Sequence, residues 1–253
     1  MIHNGLIIKE LRENKWKYGI ILIYLCLFGT SLYLAYEFLD SFLYQVTGID
    51  KELLSRLMGN MLEDFYLFAW ANWYGKNLYQ AISVFAIVLG MGKIAGEAGR
   101  GTISFLFTKP LSRKTIFFSK YFSGAFGLAL VIIAPTLIAY LASQIYGEAL
   151  PLNFLTGIPL AYTGGLIIYS FTVLYSAIFD DQVKAAVAAI ITAMVLSIPS
   201  WFADLRFLSL YAKMQGWPVY FQQSGWQISL VIMLIISGII CFMGLRIVEN
   251  KDF

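Results

Sequence analysis

From Tyr18 to Tyr36 the chain runs through nineteen residues without one charged side chain. Hydrocarbon offers no water to backbone N–H and C=O groups, so a run of about this length is a transmembrane helix. Five further runs follow, which gives six expected spans at about 18–36, 78–96, 117–146, 154–179, 184–203 and 226–247. The composition agrees. Only 33 of 253 residues are charged, 13% where a soluble domain carries roughly 25%, and 59% are apolar. A soluble globular domain, a disordered chain and a disulfide-framed secreted module are excluded; the expectation is an all-α polytopic membrane protein.

An even number of spans puts both termini on one side, and the basic residues choose which. Thirteen Lys and Arg fall on the side of the termini and of the 97–116 loop, against five on the other. The positive-inside rule makes the richer side cytoplasmic. Five of the six tryptophans (Trp70, Trp73, Trp201, Trp217 and Trp226) then fall at the opposite interface, as an aromatic belt would. The seventeen mostly polar residues before the first span do not resemble a cleavable signal peptide.

Several chemistries lack their residues. His3 is the only histidine, which removes a Ser–His protease, an H-E-x-x-H metalloprotease and most metal sites. Cys26 and Cys241 both lie in apolar runs and suggest neither a disulfide nor a zinc ribbon. A net charge of +3 is too small to point to nucleic acid. No Asp or Glu falls in the middle of a span, where an ion-coupled carrier keeps its acids. The phosphate loop is missing as well: Gly92-Lys93 is followed by Ile94, and Ile87 stands where the first glycine belongs. The chain is expected to be no enzyme and to bind no cofactor. Energy for uphill transport would have to come from another polypeptide.

Segments outside the spans carry their own patterns. Ile7, Leu11, Asn14 and Tyr18 recur at helical spacing, with Lys9, Glu10, Arg12 and Glu13 off that stripe. This predicts a helix lying on the cytoplasmic leaflet, or else a short charged anchor. Leu53, Leu54, Leu57, Met58, Met61, Leu62 and Phe65 predict an external amphipathic helix at about 50–68, as a lid or as an exit gate. Small residues recur every fourth position: Ser119, Ser123 and Gly127; Gly157, Ala161 and Gly165; Ala185, Ala189, Ala193 and Ser197. Such stripes let helices approach closely, within one bundle or, for the last, at a subunit interface. Pro135 and Pro159 are expected to kink their spans.

The 97–116 loop is the most informative stretch. It reads Glu97-Ala98-Gly99-Arg100-Gly101-Thr102-Ile103-Ser104-Phe105-Leu106-Phe107-Thr108-Lys109-Pro110-Leu111-Ser112-Arg113. Ile103, Leu106 and Phe107 share a helical face, Gly99 and Gly101 permit a sharp break, and Pro110 ends the short helix. Bottom-up this is a docking element for a soluble partner, a membrane-surface helix, or simply a basic topology-setting loop.

The pattern Glu-x-x-x-Gly-Thr-Ile, then Thr-x-Pro-Leu-Ser-Arg, then Lys120, resembles the permease subunits of ABC-2 type transporters. The resemblance covers about 24 residues. The tail Val248-Glu249-Asn250-Lys251-Asp252-Phe253 is similar to that family's ending, with Asn250 where a basic residue often stands. It implies two permease copies, or a copy and a relative, paired with two ABC ATPase subunits that carry the ATP and magnesium. Glu97, Gly101 and Thr102 would start a coupling helix in the ATPase, and Phe105, Leu106 and Phe107 would make its contacts. Arg113 would close the motif, while Arg113 and Lys120 could instead meet lipid phosphates. The stripe Ala185, Ala189, Ala193 and Ser197 would suit the permease dimer interface. The implied role is an exporter in a bacterial plasma membrane. Its cargo would be an amphipathic peptide, such as an antimicrobial or toxin peptide, a hydrophobic drug or a lipid-like molecule. A non-transporting scaffold or sensor that recruits a cytoplasmic protein is the alternative.

Overall fold

The computed structural model describes residues 3–46, 64–101 and 111–251, and among them every regular element is helical. The chain begins with α1 (Asn4–Glu13) and, after Asn14, continues as α2 (Lys15–Val46). After the undescribed stretch come α3 (Phe65–Asn72), a π-helical turn Trp73–Leu78, α4 (Tyr79–Gly90) and the short α5 (Ala95–Gly99). The second half holds α6 (Arg113–Tyr146), a 3-10 turn Leu152–Gly157, α7 (Ile158–Ile178) and α8 (Gln182–Ser197). Two 3-10 turns, Ile198–Trp201 and Ala203–Leu208, lead into α9 (Leu210–Met214) and α10 (Trp217–Tyr220), and α11 (Trp226–Asn250) closes the chain.

Five helical stretches are long and apolar enough to cross a membrane: Lys15–Leu39, Arg113–Tyr146, Leu152–Ile178, Gln182–Trp201 and Trp226–Asn250. They coincide with five of the six expected spans. The remaining one, 78–96, takes a different form. Its helix α4 has twelve residues and stops at Gly90, and Gly96 already belongs to α5 beyond a turn. On its other side the helical run extends back through the π turn to Phe65. The extra residue of a π turn frees a carbonyl, and the Asn77 side chain supplies the missing donor to the Asn72 oxygen at 2.8 Å. The shift turns Trp73 and Tyr74 inward together, and both are fully buried.

Helix α7 is the hub. Of its apolar window 78% is buried within the chain, against 22% for the α2 span and 11% for the α8 span, so the latter two offer most of their surface outward. The small-residue stripes are spent inside this bundle. A Cβ on Gly124 would overlap the Tyr169 ring, one on Gly127 the Tyr18 ring, and one on Gly165 the Ile82 side chain. In lipid, dispersion at such close approach replaces the hydrophobic effect as the force between helices.

Two expectations are corrected. Trp70 and Trp73 do not sit in a lipid-facing belt. They are fully buried, with their indole N–H groups donated to the Gln215 carbonyl at 3.0 Å and the Thr136 hydroxyl at 3.1 Å. Pro159 kinks no helix; it lies in the first turn of α7, where no intrahelical donor is missed. Pro135 does lie inside α6, and beside it the Thr136 hydroxyl bonds the Ile132 carbonyl at 2.7 Å. Ala185 and Ala189 are buried within this chain on the face of α8 that meets α7 and α9. Ala193 and Ser197 follow on α8 as half-buried residues, and the Ala193 carbonyl accepts from the Tyr211 hydroxyl at 3.3 Å. Ala185 and Ala189 are thus spent on internal packing, while Ala193 and Ser197 stay partly open on the same helix. The face of α8 left open carries Val187, Ile191, Met194 and Val195.

Candidate functional site

At the end of the bundle where α6 begins and α11 ends, four charged side chains meet out of contact with solvent. Glu10, Lys93, Glu97 and Lys120 are each 5% exposed or less. Glu10 comes from α1, Lys93 from the turn after α4, Glu97 from α5 and Lys120 from the second turn of α6. One Glu10 oxygen receives Lys120 Nζ at 2.5 Å, and the other receives Lys93 Nζ at 2.8 Å. Lys120 also reaches Glu97 Oε1 at 3.2 Å, and Lys93 donates to the Ser123 hydroxyl at 3.2 Å. Lys9 and Glu13, half exposed at the rim, add pairs to Glu97 at 3.7 Å and to each other at 3.5 Å.

The charges balance, two against two, which is what allows them to be buried at all: an unpaired ion in such a place would cost several kcal/mol. Burial by itself pushes the Glu10 carboxyl upward, but the two ammonium groups outweigh it and hold it below its ordinary value. Glu10 is therefore a carboxylate at neutral pH.

The backbone around the cluster is fixed as firmly. Ser176 of α7 accepts the N–H groups of Ile94 and Ala95 at 2.9 and 3.0 Å and donates to the Met91 carbonyl at 2.9 Å. That staple holds the elbow between α4 and α5 against the hub. Gly99 passes so close to the α7–α8 connection that a Cβ would lie 3.3 Å from the Asp180 carbonyl. Gly101 has φ +68°, a conformation costly for any residue with a Cβ. Beside the cluster opens a polar cavity of about 530 Å³, lined among others by Asn14, Lys17, Arg100 and Gln182.

On the far side of the loop, Arg113 spreads its guanidinium over the end of α11. It donates to the carbonyls of Val248, Glu249 and Lys251 at 3.2, 3.0 and 2.7 Å. Lys114 pairs with Glu249 at 3.3 Å, and Lys251 pairs with Asp180 at 2.7 Å. The Arg113 bonds satisfy carbonyls that a helix C-terminus leaves open.

Carboxylate oxygens of Glu10, Glu13 and Glu97 lie within 4.8 Å of one another, a spacing that suits a hard cation. The positive charge between them is already supplied by Lys93, Lys120 and Lys9, so the arrangement is an ion-pair lock rather than a metal cradle. Its chemistry is mechanical: it ties four segments together and resists their separation.

Of the residues picked from sequence, Glu97 lies in the lock with its side chain turned inward, Gly101 at the loop's start, and Arg113 on the α11 terminus. Thr102, Phe105, Leu106 and Phe107 lie outside the described residues. Lys120 does not reach for lipid phosphates; it is buried between two carboxylates. Sequence reasoning missed Glu10 by setting it off the apolar stripe of α1, whereas it shares the buried face with Leu6. A signal was present: Lys93 and Lys120 each sit inside or beside an apolar run, where a lone ammonium is expensive and an acid elsewhere must answer it.

Apolar helices of crossing length around a buried hub, with charge gathered at one end, define a multi-pass helical membrane protein. A family profile described as "ABC-2 family transporter protein" matches residues 7–216, and the chain belongs to that family. It is thus a permease component, and membership implies association with an ABC ATPase. No curated protein matches the chain.

Proposed function

We propose that this chain is the permease subunit of an ATP-driven exporter. In this reading the α3–α4 run is a sixth span, both termini are cytoplasmic, and the chain works as a dimer with itself or a relative. Segment 102–110 seats in the ATPase. The cargo is amphipathic or hydrophobic: a peptide, a drug or a lipid-like molecule.

One observation supports this above the others. The segment between Gly101 and Leu111 is flanked at both ends by anchors: Glu97 pairs with Lys9 of α1 and Lys120 of α6, and Arg113 bonds α11. A push delivered through that segment would meet flanks already tied to α1, α6 and α11, which is what conversion of ATPase closure into helix movement requires.

The test is a cysteine at position 105, after replacement of Cys26 and Cys241, with a short thiol cross-linker in native membranes. The expected product joins the chain to a protein with a phosphate-loop motif, and its yield falls when nucleotide is added. Cross-links to lipid alone, under conditions where the protein remains folded, would refute the coupling role.

A further inference from the structure

We propose that the end of the molecule opposite the ion lock holds a binding site for an anionic phospholipid, with Arg206 and Lys213 taking its phosphate. A cavity of about 740 Å³ opens there between the 3-10 turn Ala203–Leu208, α9, α10 and the first turn of α11. Its walls are mostly apolar, with Leu67, Phe207, Trp217, Pro218 and Phe221, while Gln223 and Ser229 add polar groups. Arg206 and Lys213 line the same cavity, and among the described residues no acidic side chain does. Neither side chain has an ion-pair or hydrogen-bond partner among the described residues, unlike the lysines of the lock.

Position selects the occupant. The cavity lies where the α8 span ends and the α11 span begins, beside Trp201 and Phe207, which are 76% and 69% exposed. Exposed aromatic rings at the end of an apolar span belong at the depth of lipid headgroups. A cavity there meets acyl chains on one side and phosphates on the other. An Arg fork and a Lys point charge at its mouth match a phosphate, and the apolar walls match the upper part of an acyl chain. The volume falls within the roughly 300–1,000 Å³ of small-molecule sites. A second copy of the chain is the poorer occupant, because a symmetric contact through this patch would bring its cations against their own images.

The test is native mass spectrometry of the purified protein titrated with phosphatidylglycerol or with phosphatidylcholine of identical chains. The wild type is expected to retain the anionic lipid roughly tenfold better, in keeping with two basic groups at a headgroup phosphate. R206Q/K213Q should abolish that preference, R206Q alone should reduce it, and Trp217→Ala should weaken retention of both lipids. Arg206 is exposed and Lys213 partly so, and an unchanged melting temperature certifies the fold. Equal retention of the two lipids by the wild type overturns the proposal, as does a preference that survives R206Q/K213Q. So does a change in oligomeric state in that variant with lipid retention intact, which would assign the patch to a second copy.

Discussion

Lys120 and Glu10 stand 110 residues apart in sequence and 2.5 Å apart in space, and through them the first helix is bound to the middle of the chain. Neither residue can leave the contact cheaply, since each is buried. Removing Glu10 strands two ammonium groups with Glu97 as their remaining buried counter-ion. Glu10→Ala should therefore destabilise the protein by about 3–5 kcal/mol. Glu10→Leu combined with Lys93→Met should recover a good part of that, because an apolar pair needs no desolvation. Melting temperatures in detergent of the single and double variants decide it; a silent Glu10→Ala would mean that the lock contributes nothing to stability.

The same contact fixes a pH window. The Glu10 carboxyl titrates lower in the folded chain than in the unfolded one. Its contribution is fully present above the ordinary Glu value of about 4.3 and is lost as pH falls through the lowered folded value. The melting-temperature gap between wild type and Glu10→Gln should stay level from pH 8 to about pH 5.5 and shrink in stronger acid. A gap that is full at pH 6 and shrinks as pH rises to 8 would instead identify a lysine as the titrating group.

Tyr18 carries the one buried side-chain polar atom that lacks a hydrogen-bond partner among the described residues. Its ring fills the space above Gly127, and its hydroxyl gains nothing there. Tyr18→Phe should be neutral or stabilising by up to about 1 kcal/mol, whereas Gly127→Leu should be strongly destabilising. A loss of more than about 1 kcal/mol in Tyr18→Phe would reveal an unseen partner at that oxygen.

Arg113 meets three carbonyls of the α11 terminus through one guanidinium nitrogen, Nη1. A lysine side chain is one bond shorter and places its ammonium short of that point. Arg113→Lys and Arg113→Ala should both loosen residues 248–251, so that carboxypeptidase trims the C-terminus faster while the spans stay protected. Equal trimming rates in wild type and variants would show that Arg113 does not restrain the tail.

Much of the architecture is legible along the chain because lipid imposes a one-dimensional rule: a segment either has about twenty apolar residues or it does not. Five spans follow from that rule within a few residues. The stretch 78–96 resisted it, because its helix is made of a π turn and two α pieces, and a π turn depends on what Trp73 and Tyr74 pack against rather than on local composition. The motif Glu97–Arg113 was readable as a pattern, while the direction each side chain takes was not. Glu97 reads as a contact for a partner and lies inside; Ala185 and Ala189 read as an interface and lie inside too.

The sequence by itself determined the solvent, the class and the family, since each rests on counting residues along one strand of text. Only the tertiary structure decided which charges are neighbours. Glu10, Lys93, Glu97 and Lys120 carry no shared spacing, and nothing along the chain says which of them meet. Folding removes all four from water together, and the cost of an unpaired buried charge makes that possible in one arrangement: each ammonium against a carboxylate, with the loop between Gly101 and Leu111 tethered on both sides.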